Sequence, residues 1–205
     1  RSGDALTDAD YNVAVGEQAL ATDRKGNKST AIGQAALYYQ DFSSSTDTEN
    51  TAVGYSAGIA VTTATGGTYV GYESGPNSST AGTGGANTCI GRLAGYSLTT
   101  GNNNCLMGYN AGDLITTGIK NILIGVDTGS VTVNLTEGNN NVVVGHNAHT
   151  SAYNADAQTV LGFECQGAGN STLTFGKAAT DSSIAYGATS ITAPSDKRLK
   201  EDIQD

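Results

Sequence analysis

Asn50-Thr51-Ala52-Val53-Gly54-Tyr55-Ser56-Ala57-Gly58 is one copy of a phrase that recurs along most of the 205-residue chain. Nine copies end at Gly16, Gly33, Gly54, Gly71, Gly91, Gly108, Gly125, Gly145 and Gly162, and a degenerate tenth ends at Gly176. Successive glycines lie 17, 21, 17, 20, 17, 17, 20, 17 and 14 residues apart. Such regular spacing predicts a repeat architecture.

The residues before each of these glycines predict a strand of four residues. The residue directly before the first nine glycines is always apolar, and the residue two positions earlier is Val, Thr, Cys or Ile. The two-residue period of a strand puts both on one face, and the glycine lets the chain turn. A second half-phrase such as Tyr72-Glu-Ser-Gly75 then leads to another corner. We therefore predict an all-β fold, a β-solenoid or β-roll with coils of about 17–21 residues.

An asparagine heads six of the copies, and its recurrence predicts a structural role. These residues are Asn12, Asn50, Asn87, Asn104, Asn121 and Asn141. Stacked coils would bring the amides one above another, so we expect an internal ladder or a cap on each turn.

Composition and charge exclude several classes of function. The chain has 28 Gly, no Trp, three Phe and one Met, which favours a narrow core over a large globular one. A net charge of −9 argues against nucleic acid as a partner. With no run of about 18 apolar residues and no amino-terminal signal pattern, we expect no membrane insertion. The three cysteines, Cys89, Cys105 and Cys165, form no CxxC and are interpreted as small apolar fillers without disulfides.

Two long excursions interrupt the repeat, Tyr38 to Glu49 and Thr128 to Asn140. Both are polar and lack periodicity, so they are predicted to be surface loops and places for variable binding chemistry. The first carries Asp41, Asp47 and Glu49, the residue type that a glycan-cleaving site would need as a pair in a groove.

Histidines and tyrosines are the other candidate ligand-binding residues. His146 and His149 could form a metal pair, but they occupy ordinary repeat positions without neighbouring carboxylates or thiolates, which favours solvent-facing or stacked histidines. We therefore expect no metal and no cofactor. Tyr55, Tyr72 and Tyr109 each follow a corner glycine, so they form either a packing stripe between coils or an aromatic stripe for sugars.

The phrase N-T-A-V-G-Y-x-A-G is similar to repeats in the heads of trimeric bacterial adhesins and in phage tail-fibre shafts. The similarity covers about residues 10 to 176. A stack of coils leaves apolar stripes and open edges that need cover. The resemblance implies that an elongated homotrimer covers them.

The chain closes with Ala193-Pro-Ser-Asp-Lys-Arg-Leu-Lys-Glu-Asp-Ile-Gln-Asp205, which predicts a short, capped helix. The pattern Ser195-Asp196-x-Arg198-x-Lys200-x-x-Ile203 resembles the opening signature of the intramolecular chaperone of endosialidase tailspikes and other phage fibres. That family's chaperone assembles three chains and then releases itself by cutting the bond before the serine.

The chaperone resemblance implies a cut at Pro194–Ser195, with Ser195 as nucleophile, Lys200 as its base, and Asp196 and Arg198 supporting the site. Residues five apart on a helix lie about 140° around it. Either the serine therefore sits outside the helix or a neighbouring chain completes the site, which would make cleavage wait for trimer assembly. The family's chaperone continues as a long helical segment, whereas only two residues follow the signature here.

These patterns together predict four segments: an amino-terminal lead-in (1–10), a β-repeat fibre domain (11–176), a connector (177–194) and the start of a chaperone (195–205). The predicted function is a trimeric fibre shaft or tip that attaches to a cell-surface receptor, a glycan or a protein, on a virion tail or a cell surface. The alternatives are a purely structural spacer, a bacterial trimeric adhesin and, ranked last, a glycan-degrading tailspike.

Overall fold

The computed structural model describes residues 1–77, 80–130, 133–178 and 181–188, which form a β-solenoid. Ten parallel strands, joined by nine turns, stack in the order β1-β3-β5-β6-β7-β8-β9-β10-β11-β12, and β13 adds an antiparallel strand at the end. The strands are β1 Val13–Val15, β2 Gly26–Asn27, β3 Thr30–Ile32, β4 Thr46–Asp47, β5 Thr51–Val53, β6 Thr68–Val70, β7 Thr88–Ile90, β8 Cys105–Met107, β9 Ile122–Ile124, β10 Val142–Val144, β11 Thr159–Phe163, β12 Thr172–Lys177 and β13 Ser182–Ala185. The all-β repeat predicted from the glycine spacing is confirmed.

Each strand pairs in register with the strand of the next coil. Ala52 pairs with Tyr69, Tyr69 with Cys89 and Cys89 with Leu106. Most of the repeat strands are three residues long rather than the expected four, and the residue that heads most phrases lies buried just outside the strand. Differences in coil length are therefore absorbed outside the sheet.

The middle residue of each three-residue strand faces the inside of the solenoid, as does Val160 in the longer strand β11. From β3 to β11 these residues are fully buried: Ala31, Ala52, Tyr69, Cys89, Leu106, Leu123, Val143 and Val160. They belong to one continuous apolar cluster with residues from elsewhere in the coils, including Leu98, Ile115 and Leu135. Cys89 and Cys165 are buried fillers as predicted, whereas Cys105 lies on the opposite face of the sheet. All three cysteines are free.

The corner glycines allow adjacent coils to approach closely. Gly91 has a φ of +131° and Gly108 a φ of +138°, in the region that side chains rarely adopt. A Cβ added to Gly91 would lie 2.7 Å from the carbonyl carbon of Gly108. Both the turn and the spacing between coils therefore require glycine at this position.

Four of the six asparagines form the predicted ladder inside the solenoid, whereas Asn12 and Asn50 accept from the main-chain N–H groups of Ser29 and Gly67. Asn104 Nδ2 donates to Asn87 Oδ1 over 3.0 Å, Asn121 Nδ2 to Asn104 Oδ1 over 3.1 Å, and Asn141 Nδ2 to Asn121 Oδ1 over 2.9 Å. Each of these oxygens also accepts the main-chain N–H of the next asparagine. Because the ladder is buried and its members are paired, it ties successive coils together without leaving polar atoms unsatisfied.

The excursion from Tyr38 to Glu49 is not simply the surface loop that was predicted. Gln40, Phe42 and Thr48 are buried, and β4 pairs with β2 to form a small second sheet. Gln40 Nε2 donates to Ser29 Oγ over 3.0 Å, and Gln40 Oε1 accepts from Asn50 Nδ2 over 2.8 Å. The loop thus supplies the amide that is missing where Ser29 replaces the ladder asparagine.

The second excursion also contributes to the core, because Leu135 is fully buried. Beyond the last parallel strand, β13 lies within the segment assigned to the connector and pairs with β12. At the other end, residues 1–10 bond to the first coil, with the N–H of Gly3 donating to the carbonyl of Ala19 over 2.9 Å. Neither segment is separate from the stack.

Candidate functional site

One face of the large sheet is uncharged and mostly apolar along its whole length, with five threonines in its first row, and we call it the outer sheet face. It consists of the residues that flank the buried middle residue of each parallel strand. Its first row is Val13, Thr30, Thr51, Thr68, Thr88, Cys105, Ile122, Val142, Thr159 and Leu173; its second row is Val15, Ile32, Val53, Val70, Ile90, Met107, Ile124, Val144, Leu161 and Phe175.

The outer sheet face is apolar but not buried. Val15 is 55% exposed, Ile124 38% and Leu161 39%. The second row contains only apolar residues, and neither row contains a charge. An exposed apolar surface of this extent, continuous over ten strands, is typical of an interaction surface rather than of a solvated sheet.

A second column borders this face, formed by the residue that follows each corner glycine. We call it the post-glycine column: Glu17, Gln34, Tyr55, Tyr72, Arg92, Tyr109, Val126, His146, Phe163 and Lys177. The rings of Tyr55 and Tyr72 stack with centroids 5.1 Å apart and planes 10° apart. The Arg92 guanidinium lies 5.5 Å from the Tyr72 ring and 5.3 Å from the Tyr109 ring, and its Nη1 donates to the Tyr109 hydroxyl over 3.0 Å.

The structure therefore brings the three predicted tyrosines into one stack, with Arg92 bridging the gap between Tyr72 and Tyr109. The repeat register could have identified Arg92, since it occupies the same place after its glycine as the tyrosines do. Tyr72 has one ring face against Tyr55 and the other against Arg92, so its edge and hydroxyl are what it presents to solvent. A hydrogen bond with Glu73 raises the pKa of Tyr72.

The stack resumes farther along the same column. His146 and Phe163 have centroids 5.2 Å apart and planes 8° apart, and Lys177 lies 5.5 Å from the Phe163 ring. The expectation of a stacked histidine is confirmed for His146. It is wrong for His149, which is buried at the solenoid edge, where desolvation lowers its pKa.

A groove that sequence reasoning missed opens beside the post-glycine column. It has a volume of about 450 Å³ and is lined by Glu73, Leu93, Tyr96, Ser97, Asp113 and Leu114, which we call the Tyr96 groove. Its residues come from three successive coils, and Glu73 and Leu93 have left-handed backbone conformations, with φ of +50° and +60°. No short sequence motif predicts this groove, because residues of three adjacent coils line it.

The polar groups of the groove include an unsatisfied carboxylate oxygen. Asp113 Oδ1 is buried and has no hydrogen-bond partner in the described part of the chain. Desolvation is the largest cause that raises the pKa of Asp113. Because Oδ1 itself is shielded from solvent, its missing hydrogen bond disfavours the ionised form of Asp113 and does not offer a contact to a ligand.

Two of the three carboxylates of the first excursion, Asp41 and Asp47, are already engaged between coils, whereas Glu49 is exposed. Arg24 Nη2 lies 2.7 Å from Asp41 Oδ2, and Lys28 Nζ lies 2.6 Å from Asp47 Oδ2. Hydrogen bonds from Arg24 and Lys28 lower the pKa of Asp41 and Asp47 respectively. A glycosidase needs one carboxyl group with a raised pKa as its acid, so this pair does not fit that chemistry.

Ser195, Asp196, Arg198 and Lys200, together with the predicted helix, lie outside the described residues, so their assignment remains a prediction. Within the described ranges, no group of three or more His, Cys, Asp or Glu is placed to hold a metal ion. The same part of the chain contains no helix of sufficient length and apolarity to cross a membrane. The chain matches no protein-family model, no curated protein and no solved structure in the three comparisons.

Proposed function

We propose that this chain is a shaft or tip segment of a homotrimeric fibre that attaches to a cell-surface receptor, a glycan. The observation that carries the proposal is the outer sheet face, which is uncharged and half-buried or exposed from β1 to β12. Apolar surface removed from water contributes about 25 cal/mol per Å². A face that spans ten strands therefore favours association strongly.

A second copy of the same chain is the partner that fits this face. Coils in the stack repeat at about 4.8 Å, so rows of side chains on one rod match rows on an identical rod at every step. A partner with another spacing would match only locally. Closed rotational symmetry lets every copy cover its face, and the resemblance to trimeric fibres favours three copies.

The carboxy-terminal signature supports the same assembly from a different direction. Ser195 and Lys200 would cut Pro194–Ser195 after the chaperone has brought three chains together, with Asp196 and Arg198 supporting the site. A fibre matured in this way belongs on a virion tail or on a cell surface. The ion pairs with Arg24 and Lys28 leave Asp41 and Asp47 unsuited as the acid of a glycan-degrading site.

The test is the mass in solution by light scattering, with intact-chain mass spectrometry of the chain extended through the whole chaperone. We expect a trimer trimmed at Pro194–Ser195. Ile124→Glu, on the outer sheet face, should give a monomer that keeps its β circular dichroism, because the interface would bury an unpaired charge. Thr117→Glu, at an exposed position of an adjacent coil, is the matched control and should remain a trimer.

Two outcomes would contradict the proposal. A wild-type chain that stays monomeric at micromolar concentration removes the assembly. A monomeric variant that cuts itself at the full rate removes the dependence of cleavage on the neighbouring chain.

A further inference from the structure

We propose that the Tyr96 groove is the glycan-binding site and that it takes a neutral or amine-bearing sugar rather than an acidic one. The inference deepens the proposed attachment function and rests on it. It moves the binding site from the stacked tyrosines, which the sequence suggested, to a neighbouring groove that only the fold creates.

The Tyr96 groove and the post-glycine column differ in how accessible the faces of their aromatic rings are. Sugars pack their C–H groups against a ring face. Tyr72 has both faces occupied by its neighbours in the post-glycine column, and Tyr55 and Tyr109 each have one face occupied. Tyr96 is half-buried in the groove wall and stacks on no other aromatic ring among the described residues. It is therefore the better placed ring for a sugar.

Apolar and hydrogen-bonding groups both surround the Tyr96 ring. Leu93 and Leu114 supply apolar surface, while Ser97 and the carboxylates of Glu73 and Asp113 supply hydrogen-bonding groups. Sugars have the same mixture of apolar C–H surface and hydroxyl donors. The groove volume of about 450 Å³ lies in the range of small-ligand sites.

The charged residues of the Tyr96 groove are acidic. Two carboxylates line the groove and the chain carries a net charge of −9, so an acidic sugar would meet repulsion. Hydroxyl or ammonium donors can instead hydrogen-bond to the carboxylates of Glu73 and Asp113 that line the groove. The charges therefore favour neutral sugars and amino sugars.

The Tyr96 groove stays accessible in the proposed trimer. No residue of the Tyr96 groove belongs to the outer sheet face, which the proposed trimer covers. The groove lining follows the corner glycines Gly71, Gly91 and Gly108, where the chain has already turned away from the sheet. Assembly through the outer sheet face and binding in the groove are thus compatible.

The experiment measures binding of the full chain, in its assembled state, to three sets of soluble oligosaccharides by calorimetry. One set is neutral, one carries free amines and one is the sialylated counterpart of the neutral set. We expect binding to the neutral or the amine-bearing set and at least tenfold weaker binding to the sialylated set.

Variants locate the site. Asp113→Asn should weaken binding about tenfold to a hundredfold, the loss expected for a hydrogen bond to a charged group. Tyr96→Ala should also weaken binding, because it removes the ring face against which the sugar packs. Asp113→Asn keeps the side-chain shape and guards against misfolding in the alanine variant. Tyr153→Ala, an exposed tyrosine outside the groove and the post-glycine column, should bind like the wild type.

Three results would overturn the inference: no binding to any set, preference for the sialylated set, or unchanged binding in both groove variants. Light scattering on the same samples separates this failure from failure of the fibre proposal. A trimer that binds none of the sugars leaves a structural spacer, whereas a monomer removes the fibre itself.

Discussion

The two faces of the same strands differ in a way that separates folding from assembly. The inward positions range in size from Ala52 to Tyr69, yet all from β3 to β11 are fully buried. The outward positions are far more uniform, mostly Val, Ile and Thr, yet they are half-buried or exposed. Each coil can adjust its own interior, whereas a flat contact with a neighbouring rod needs the same side-chain height at every step.

The largest expected effect breaks this comparison at two adjacent residues. Leu123→Ala removes a fully buried side chain and should lower the free energy of unfolding by about 2–5 kcal/mol. Ile124→Ala should lower it mainly through weaker association, so its effect should depend on protein concentration. Urea unfolding at several concentrations measures both, and equal concentration-independent losses would contradict the assignment of the two faces.

The next prediction concerns how one coil accommodates a large residue. Gly67 stands where other coils have the ladder asparagine, and a Cβ there would overlap the ring and hydroxyl of Tyr69. Gly67→Asn should therefore cost about 1–3 kcal/mol by overpacking. Tyr69→Leu introduces the residue that β8 and β9 have at the equivalent middle position. Combining it with Gly67→Asn should recover most of that loss, because the double variant restores both the core and the ladder.

Denaturant unfolding of Gly67→Asn, Tyr69→Leu and the double variant completes a double-mutant cycle. Additive losses would show that Gly67 and Tyr69 are independent. Recovery in the double variant would show that Gly67 and Tyr69 replace the asparagine and leucine of other coils as a coupled pair. The buried Tyr69 hydroxyl, which has no hydrogen-bond partner in the described residues, is part of that replacement.

The smallest predicted effect sharpens the contrast at the Tyr96 groove, where binding and stability should oppose each other. The folded-state pKa of Asp113 is raised, so ionising it costs the folded state stability above that pKa. Asp113→Asn should raise the melting temperature at neutral pH, and the two proteins should converge below about pH 3. Thermal melts across pH test this, with the exposed Asp8→Asn as the control; a variant less stable at neutral pH would contradict it.

Much of the interior could be predicted because the repeat places equivalent residues one above another. Asn87, Asn104, Asn121 and Asn141 form the expected ladder since identical amides at one register can pair in only a few ways. The long excursions could not be predicted in the same manner. Gln40 is buried because it replaces an amide missing at Ser29, and nothing local in its own segment indicates that.

The tyrosine column was partly predictable, and the Tyr96 groove was not. Tyr55, Tyr72 and Tyr109 share a position in the repeat, so their alignment follows from the spacing alone. The groove combines residues at unlike positions in three coils, so no single position of the repeat predicts it. The left-handed turns at Glu73 and Leu93 do not distinguish it, because the second residue after every corner glycine has a positive φ.

By itself, the sequence determined the period, the place of each strand, the corner glycines and the asparagine ladder, because these depend on spacing and on local backbone preference. Only the tertiary structure decided which face of the strands points inward. A two-residue alternation separates the faces but does not orient them, and both faces carry apolar residues here. The middle residues of the strands, which vary in size, fill the narrow interior. The two more uniform rows of the outer sheet face remain outside as the surface available for a partner.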